Sequence, residues 1–224
     1  MSPLLQGKTA LVTGSSRGIG AAIAMALSAE GARVMVTYLD NPAAAEKVAA
    51  NCQGETLLMP LDVTQRQSIE TVVAHVVEQW GSLDILVNNA SAIYLAGTLA
   101  TPMKRFDLMN QVNTRGTFAA SQALLPYLQK SDNPHILMMS PPLNMNPRWF
   151  RDHLAYTISK YGMSLCVLGL AEEFRSHGIA VNALWPKTVI HTEALAMLGG
   201  LVPPENCRQP AIVADAVYAV LCRD

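Results

Sequence analysis

The chain alternates between two hydrophobic periods from one end to the other, and this restricts its fold more than any other feature. KTALVT at 8–13 is a short apolar run rich in Val and Thr and reads as a buried strand. Ile19, Ile23 and Leu27 follow at helical spacing, ending near Gly31. ARVMVTY at 32–38 predicts a second strand, residues 42–53 a helix, and ETLLMPL at 55–61 a third strand. Residues 66–80 put Ile69, Val72, Val73, Val76 and Val77 on one helical face. LDILVNN at 83–89, HILMMS at 135–140 and GIAVNALW at 178–185 predict the fourth, fifth and sixth strands. Helical patterns cover about 102–129, interrupted near Asn113–Gly116, and about 153–175. Such alternation implies a doubly wound α/β fold, a parallel sheet with helices on both faces. No linker or repeat divides residues 1–224, so they read as one domain.

In a sheet of this kind, ligands sit outside the carboxyl ends of the strands. The suggestive residues fall there. Gly14-x3-Gly18-x-Gly20, with Ser16, Arg17 and Ile19 inside it, lies at the first strand-to-helix turn. Glycine lets a ligand approach the backbone closely, and the helix N-terminus offers free N–H groups to a pyrophosphate. The spacing differs from the usual G-x-G-x-x-G fingerprint, and a plain Gly-rich turn is the bland alternative. Tyr38 stands at the end of the second strand, where an acid would bond a ribose 2′-hydroxyl. With no acid there, and with Arg17 available to a 2′-phosphate, the expected cofactor is NADP, NAD being the alternative. Asp40 is the counterweight and reads as a turn residue before Asn41-Pro42. Asp62-Val63 ends the third strand, either near an adenine or as a turn. Asn88, Asn89 and Ala90 end the fourth strand and are expected to contact the cofactor.

Tyr156 and Lys160 stand one helical turn apart on one face. A phenol has a reference pKa of about 10, and a nearby ammonium draws it toward neutrality. The pair is either acid–base machinery or ordinary surface chemistry. Asn113 has low helix propensity, and a break around it would free carbonyls to hold a water. Ser140 precedes Pro141-Pro142 outside any nucleophile-elbow pattern, which argues against a serine hydrolase.

Composition excludes several classes. Net charge is −1, half the residues are hydrophobic and 15% are charged, so no basic stripe suggests nucleic acid. The five histidines lack metal-ligand spacing, and no metal is expected. Cys52, Cys166, Cys207 and Cys222 are scattered, which suggests a reducing, cytoplasmic setting. The first residues lack a signal-peptide shape, and no apolar run reads as long enough to span a membrane.

Taken in order, TGSSRGIG at 13–20, Asp62-Val63, NNA at 88–90, Asn113, Ser140, YTISK at 156–160 and Pro186 resemble the short-chain dehydrogenase/reductase family and its Rossmann fold. VNTRGTF at 112–118, SPPLNMNP at 140–147 and ALWPKTVIHT at 183–192 look most like its hydroxysteroid-dehydrogenase-like branch. The resemblance implies hydride transfer between a nicotinamide and a carbonyl or alcohol carbon. It makes Tyr156 the acid–base, Lys160 its tuner and ribose ligand, Asn113 the holder of a relay water, and Pro186 a cofactor contact. It also implies a homodimer or homotetramer, and a substrate lid at 188–206. Ala194, Leu195, Met197, Leu198 and Leu201 make that lid apolar, which suits a lipid- or steroid-like substrate or simply packs the lid down.

Four departures stand out. Ser91 replaces the family's usual Gly, and Lys187 follows Pro186 where Gly is usual. The chain stops at Asp224, where the family adds another strand. Pro141 falls where the catalytic Ser belongs, leaving Ser140, Asn144 or no residue as the second donor to the substrate oxygen. Pro141 also keeps open a different class, a cofactor-binding redox sensor or scaffold with little turnover.

Overall fold

Each strand alternates its side chains between two faces, and both faces are apolar. In β1 (Thr9–Val12), Ala10 and Val12 face one way and Leu11 the other. In β2 (Arg33–Tyr38), Val34 and Val36 oppose Met35, and in β4 (Ile85–Asn88), Ile85 and Val87 oppose Leu86. In β5 (His135–Met139), Leu137 and Met139 oppose Ile136 and Met138. Strands buried on both faces need a layer of helices on each side. The computed structural model, which describes residues 4–197 and 202–223, shows both layers.

With β3 (Thr56–Pro60) and β6 (Ala180–Leu184), the strands form one parallel sheet in the order β3-β2-β1-β4-β5-β6. On one face lie α1 (Gly18–Ala29), α2 (Pro42–Ala50) and α8 (Ala211–Leu221). On the other lie α3 (Arg66–Trp80), α5 (Thr117–Leu128) and α6 (Leu154–Glu173). The chain order reverses at β1, which lies between β2 and β4, so the crevice for a ligand opens beyond the ends of β1 and β4.

The expected elements are present, with ends shifted by a few residues. Two findings go beyond the sequence reading. The helical stretch expected over 102–129 divides into α4 (Met103–Met109), a π-helical turn at Asn110–Gly116, and α5, so the expected interruption is a widened turn rather than a loop. The helix α8 was not read from the sequence at all. It buries Val213, Ala214, Val217 and Leu221 with Ile23 and Leu27 of α1 in one apolar cluster.

One expectation needs correction. By length and composition, α6 is apolar enough to cross a membrane. It instead lies on the sheet, with Met163 and Leu170 in the core and Lys160 buried. In the stretch expected to form a lid, α7 (Glu193–Met197) follows β6, Ala194 is exposed and Leu195 half-buried. Leu198 and Leu201 lie outside the described residues. The segment is fixed at its base, where Ile190 bridges Arg208, His191 N–H donates to the Arg208 carbonyl, and Arg208 N–H to that of Val189.

If α8 is part of the core, Leu221→Ala should cost about 2–5 kcal/mol, as other buried Leu-to-Ala truncations do. Urea unfolding of the two proteins measures it.

Candidate active site

Beyond β1, the chain turns sharply through Gly14 (φ 64°) and Gly18 (φ 57°), both in the left-handed region that favours glycine. Gly20 is required by space. A Cβ there would stand 2.4 Å from both the Gly14 carbonyl oxygen and Asn89 Nδ2. The turn is braced by side chains. Thr37 Oγ1 donates to the Val12 carbonyl and accepts from Gly14 N–H, while Ser15 Oγ donates to the same carbonyl and accepts from Thr37 N–H. Arg17 occupies the N-cap of α1 in extended conformation, with no side-chain cap and no acid in the first turn. The first N–H groups of α1 therefore keep their capacity for an anion. A bare helix start over a braced glycine turn fits a dinucleotide pyrophosphate.

The flanking residues take roles the sequence left open. Asn89 Nδ2 donates to the carbonyls of Thr13 and Gly14, and the N–H groups of Asn89 and Ala90 both donate to Thr13 Oγ1. Asn89 thus holds the glycine turn against β4, and Asn88 binds Ser121 of α5. Asp62 accepts from both N–H and Oγ1 of Thr64, the turn role that was one of its two readings. Val63 packs against Gly116, where a Cβ would come within 2.9 Å of Val63 Cγ2. Tyr38 ends β2, half-buried, and Asp40 lies exposed in the bend before Asn41, which caps α2. Arg17 meets Glu193 of α7 at 3.5 Å, with both side chains more than half exposed. Such a pair is weak, and the guanidinium can exchange partners. Pro186 follows β6, half-buried.

Across the crevice, the widened turn of Asn110–Gly116 aims the Asn113 side chain back at the loop after β4. Asn113 is fully buried. Its Oδ1 accepts from Ala92 N–H (2.8 Å) and Ser91 Oγ (3.0 Å), and its Nδ2 donates to the Ala92 carbonyl and Ser159 Oγ (2.9 Å each). Ser159 Oγ donates in turn to the Tyr156 carbonyl. Thr114 Oγ1 donates to the Ser159 carbonyl, and the absence of a side chain at Gly162 lets Thr114 sit there. The π turn and α6 are therefore joined through backbone and side chains alike.

Tyr156 and Lys160 come to one face of α6, as their spacing predicts, but their electrostatics differ from the expectation. Burial pushes the phenol up to about 12, and the opposing influence is a hydrogen bond from Ser91, not the ammonium. Lys160 is 3% exposed, and burial lowers it to about 7. Its Nζ donates to the Met139 carbonyl (2.6 Å) and lies 5.5 Å over the Trp185 ring. The strand end thus holds the group expected to tune the tyrosine.

Ser140 makes no hydrogen bond to the phenol. Its hydroxyl is buried without a hydrogen-bond partner. The backbone explains this. Ser140 N–H donates back to Met138, Lys160 takes the Met139 carbonyl, and Ser164 Oγ takes that of Pro141 (2.6 Å). The backbone is thus tied on both sides of Ser140. Asn144 Oδ1 accepts from Asn146 N–H, and the Asn144 backbone N–H and carbonyl both bond the Tyr161 hydroxyl. Sequence reasoning gave no role to Ser91, Ser159 or Thr13. The available signals were a hydroxyl beside Asn88-Asn89-Ala90 and another three residues after Tyr156.

Amides ready for phosphate at the switch point, facing a proton-handling phenol, place the chain among the NAD(P)-binding oxidoreductases built on a doubly wound sheet. Comparison with known proteins narrows that class. The model of the short chain dehydrogenase family matches residues 8–199, and the chain belongs to that family. It is 52% identical over 229 residues to hydroxysteroid dehydrogenase-like protein 2 of Rattus norvegicus, covering 98% of this chain and 43% of that protein. The chain thus spans less than half the length of that relative. A crystal structure of a short chain dehydrogenase from Mycobacterium thermoresistibile superposes with a TM-score of 0.91 at 43% identity, over 98% of this chain and 81% of that one. A 7α-hydroxysteroid dehydrogenase complexed with NADH and 7-oxo glycochenodeoxycholic acid superposes with a TM-score of 0.84 at 28% identity, over 98% and 89% of the two chains.

The lowered Lys160 pKa carries a signed consequence for stability. Between about 7 and its ordinary 10.5, the unfolded chain holds the proton that the folded chain has released, so stability rises with pH across that window. Lys160→Met removes the buried ammonium. It should unfold at higher denaturant than the parent at pH 7, and the difference should shrink steadily toward pH 10.

Proposed function

We propose that the chain is an NADP(H)-preferring carbonyl reductase or alcohol dehydrogenase acting on an apolar substrate, with Tyr156 as its acid–base. The observation that carries this is Tyr156 one helical turn from the buried Lys160, its backbone carbonyl joined through Ser159 to the buried Asn113, together with the uncapped start of α1. The nicotinamide, when bound, supplies or accepts the hydride. The residues that would hold it are the Gly14–Gly20 turn, Ala90 and Pro186, with Lys160 near its ribose.

In reduction, the Tyr156 hydroxyl gives its proton to the substrate oxygen as negative charge develops there. In oxidation, the phenolate takes the proton back. Lys160, held at about 7, gains or loses a proton near neutrality and can replenish the phenol through water. The widened turn around Asn113 leaves backbone carbonyls to seat such a water. The NADP preference rests on Arg17, whose loose pairing with Glu193 leaves it open to a phosphate, and on Tyr38 standing where an acid would repel one. An apolar substrate is supported by the steroid held by the 7α-hydroxysteroid dehydrogenase and by the apolar residues of the stretch after β6.

A homodimer or homotetramer is part of the proposal. Ile158, Leu165 and Leu168 form one exposed apolar face of α6, and Phe118 of α5 is half exposed. Four free thiols accord with a reducing, cytoplasmic compartment. The redox-sensor reading keeps one observation in its favour, that Pro141, which has no side-chain donor, stands where the family's catalytic Ser belongs.

A screen of NADPH oxidation against ketones and other carbonyl compounds separates the two readings, since a sensor gives no turnover with any of them. Given a substrate, Tyr156→Phe should lower turnover at least about 100-fold, the low end of general acid–base contributions, with cofactor binding retained. Retained turnover would remove Tyr156 from its role. Titration of both cofactors tests Arg17. Arg17→Ala should weaken NADPH by about 1.5–3 kcal/mol, one charge-assisted contact, and leave NADH unchanged.

A further inference from the structure

A buried ammonium ordinarily has a carboxylate beside it, and Lys160 has none. It is 3% exposed and makes no ion pair among the described residues. Of the elements packed on α6, α4 carries Lys104, Arg105 and Asp107, the π turn Arg115, α5 Tyr127 and β5 His135. The short turn after α6 adds Arg175 and His177. None of these groups bonds Nζ, whose hydrogen-bond partners are the Met139 carbonyl at 2.6 Å and Met163 Sδ at 3.2 Å. On α6 itself, Glu172 and Glu173 lie about three turns further on. One other group meets the ammonium. The Trp185 ring lies under Nζ, with its centroid 5.5 Å away. That is within the range at which the negative face of an indole attracts a cation.

We propose that Trp185 is a positioning residue for Lys160: the face of its indole holds the buried ammonium in its charged form at the end of β5, in place of the carboxylate that a buried cation ordinarily has. Its bearing on the reaction rests on Lys160 serving Tyr156 as described above. The ring attracts the ammonium and not the neutral amine, so it acts against burial, which favours the amine. A carboxylate in the same place would fix the charge outright. An indole gives a weaker hold and leaves the lysine able to change its protonation near neutrality. Trp185 is 40% exposed, so the ring borders both solvent and the covered lysine. Pro186 restricts the backbone before it to extended conformations, which limits where the ring can move. The ammonium is thus placed from three elements: its own helix through Met163, the end of β5 through Met139, and the end of β6 through Trp185.

The test measures ionisation of the lysine itself, apart from turnover. With lysine labelled with carbon-13 at Cε, NMR follows each ammonium through its titration in the full chain, and the resonance missing from Lys160→Met identifies Lys160. Trp185→Leu keeps an apolar cover and removes the aromatic face. It should lower the Lys160 titration by about one pH unit, and Trp185→Phe, which keeps such a face, should restore most of the loss. A tetrafluorinated tryptophan placed at position 185 nearly keeps the shape of the ring and withdraws its negative face. It should lower the titration in the same direction, and it decides the matter even if Trp185→Leu fails to fold. An unchanged titration with the fluorinated ring, or a rise in Trp185→Leu, overturns the proposal, the second because the ring would then act only by excluding water. Tyr156→Phe keeps the two questions apart. Activity in that variant defeats the acid–base assignment, while the lysine titration still decides whether Trp185 governs Lys160.

Discussion

The site depends on one buried amide. All four hydrogen-bonding positions of the Asn113 side chain are used: two bonds reach the backbone of Ala92, one comes from Ser91 and one goes to Ser159. These partners belong to the loop after β4 and to α6, and Asn113 itself belongs to the turn between α4 and α5. A regular α-helix does not bring the side chain to this place. The widened turn at Asn110–Gly116 does, at a cost in local geometry that the four bonds offset. The parts of the site thus arrive on three separate segments and are set relative to one another by one residue.

Burial then sets the chemistry. A phenol and an amine removed from water both move toward their neutral forms, Tyr156 upward and Lys160 downward. A pair chosen only for opposite charge would sit at the surface as a salt bridge. This pair is instead largely covered, and Lys160 leans on the end of β5 through its bond to the Met139 carbonyl. A neutral tyrosine one helical turn from a lysine lowered to about 7 is suited to handing over protons rather than to holding charge.

The sheet was legible because its strands are apolar on both faces and its helices on one, so the period of the pattern changes at each boundary. The glycine turn was legible for a related reason, since Gly14, Gly18 and Gly20 occupy positions where a side chain would be strained or would collide. Less could be read where partners are distant in the chain. The apolar run of α8 becomes interpretable only beside α1, almost the length of the chain away. Ser164 and Lys160 hold the backbone on either side of Ser140, and neither contact has a local signature. That the Asn89 side chain holds the carbonyls of Thr13 and Gly14 also has no local signature. Local pattern reports which residue types gather at the strand ends. It does not report which of them face one another.

The packing of α8 on α1 also bears on the order in which the protein assembles. As the chain leaves the ribosome, β1, α1 and β2 can associate early, because their contacts are local. The outer face of α1 stays bare until residues 211–221 have been made and have closed a loop spanning most of the polypeptide. Through that interval the nascent protein exposes Ile23, Leu27 and the other apolar residues that α8 will cover. A helix made late in this stretch of chain seals one made early. A growing chain therefore presents an apolar surface next to its half-built glycine turn until residues 211–221 arrive.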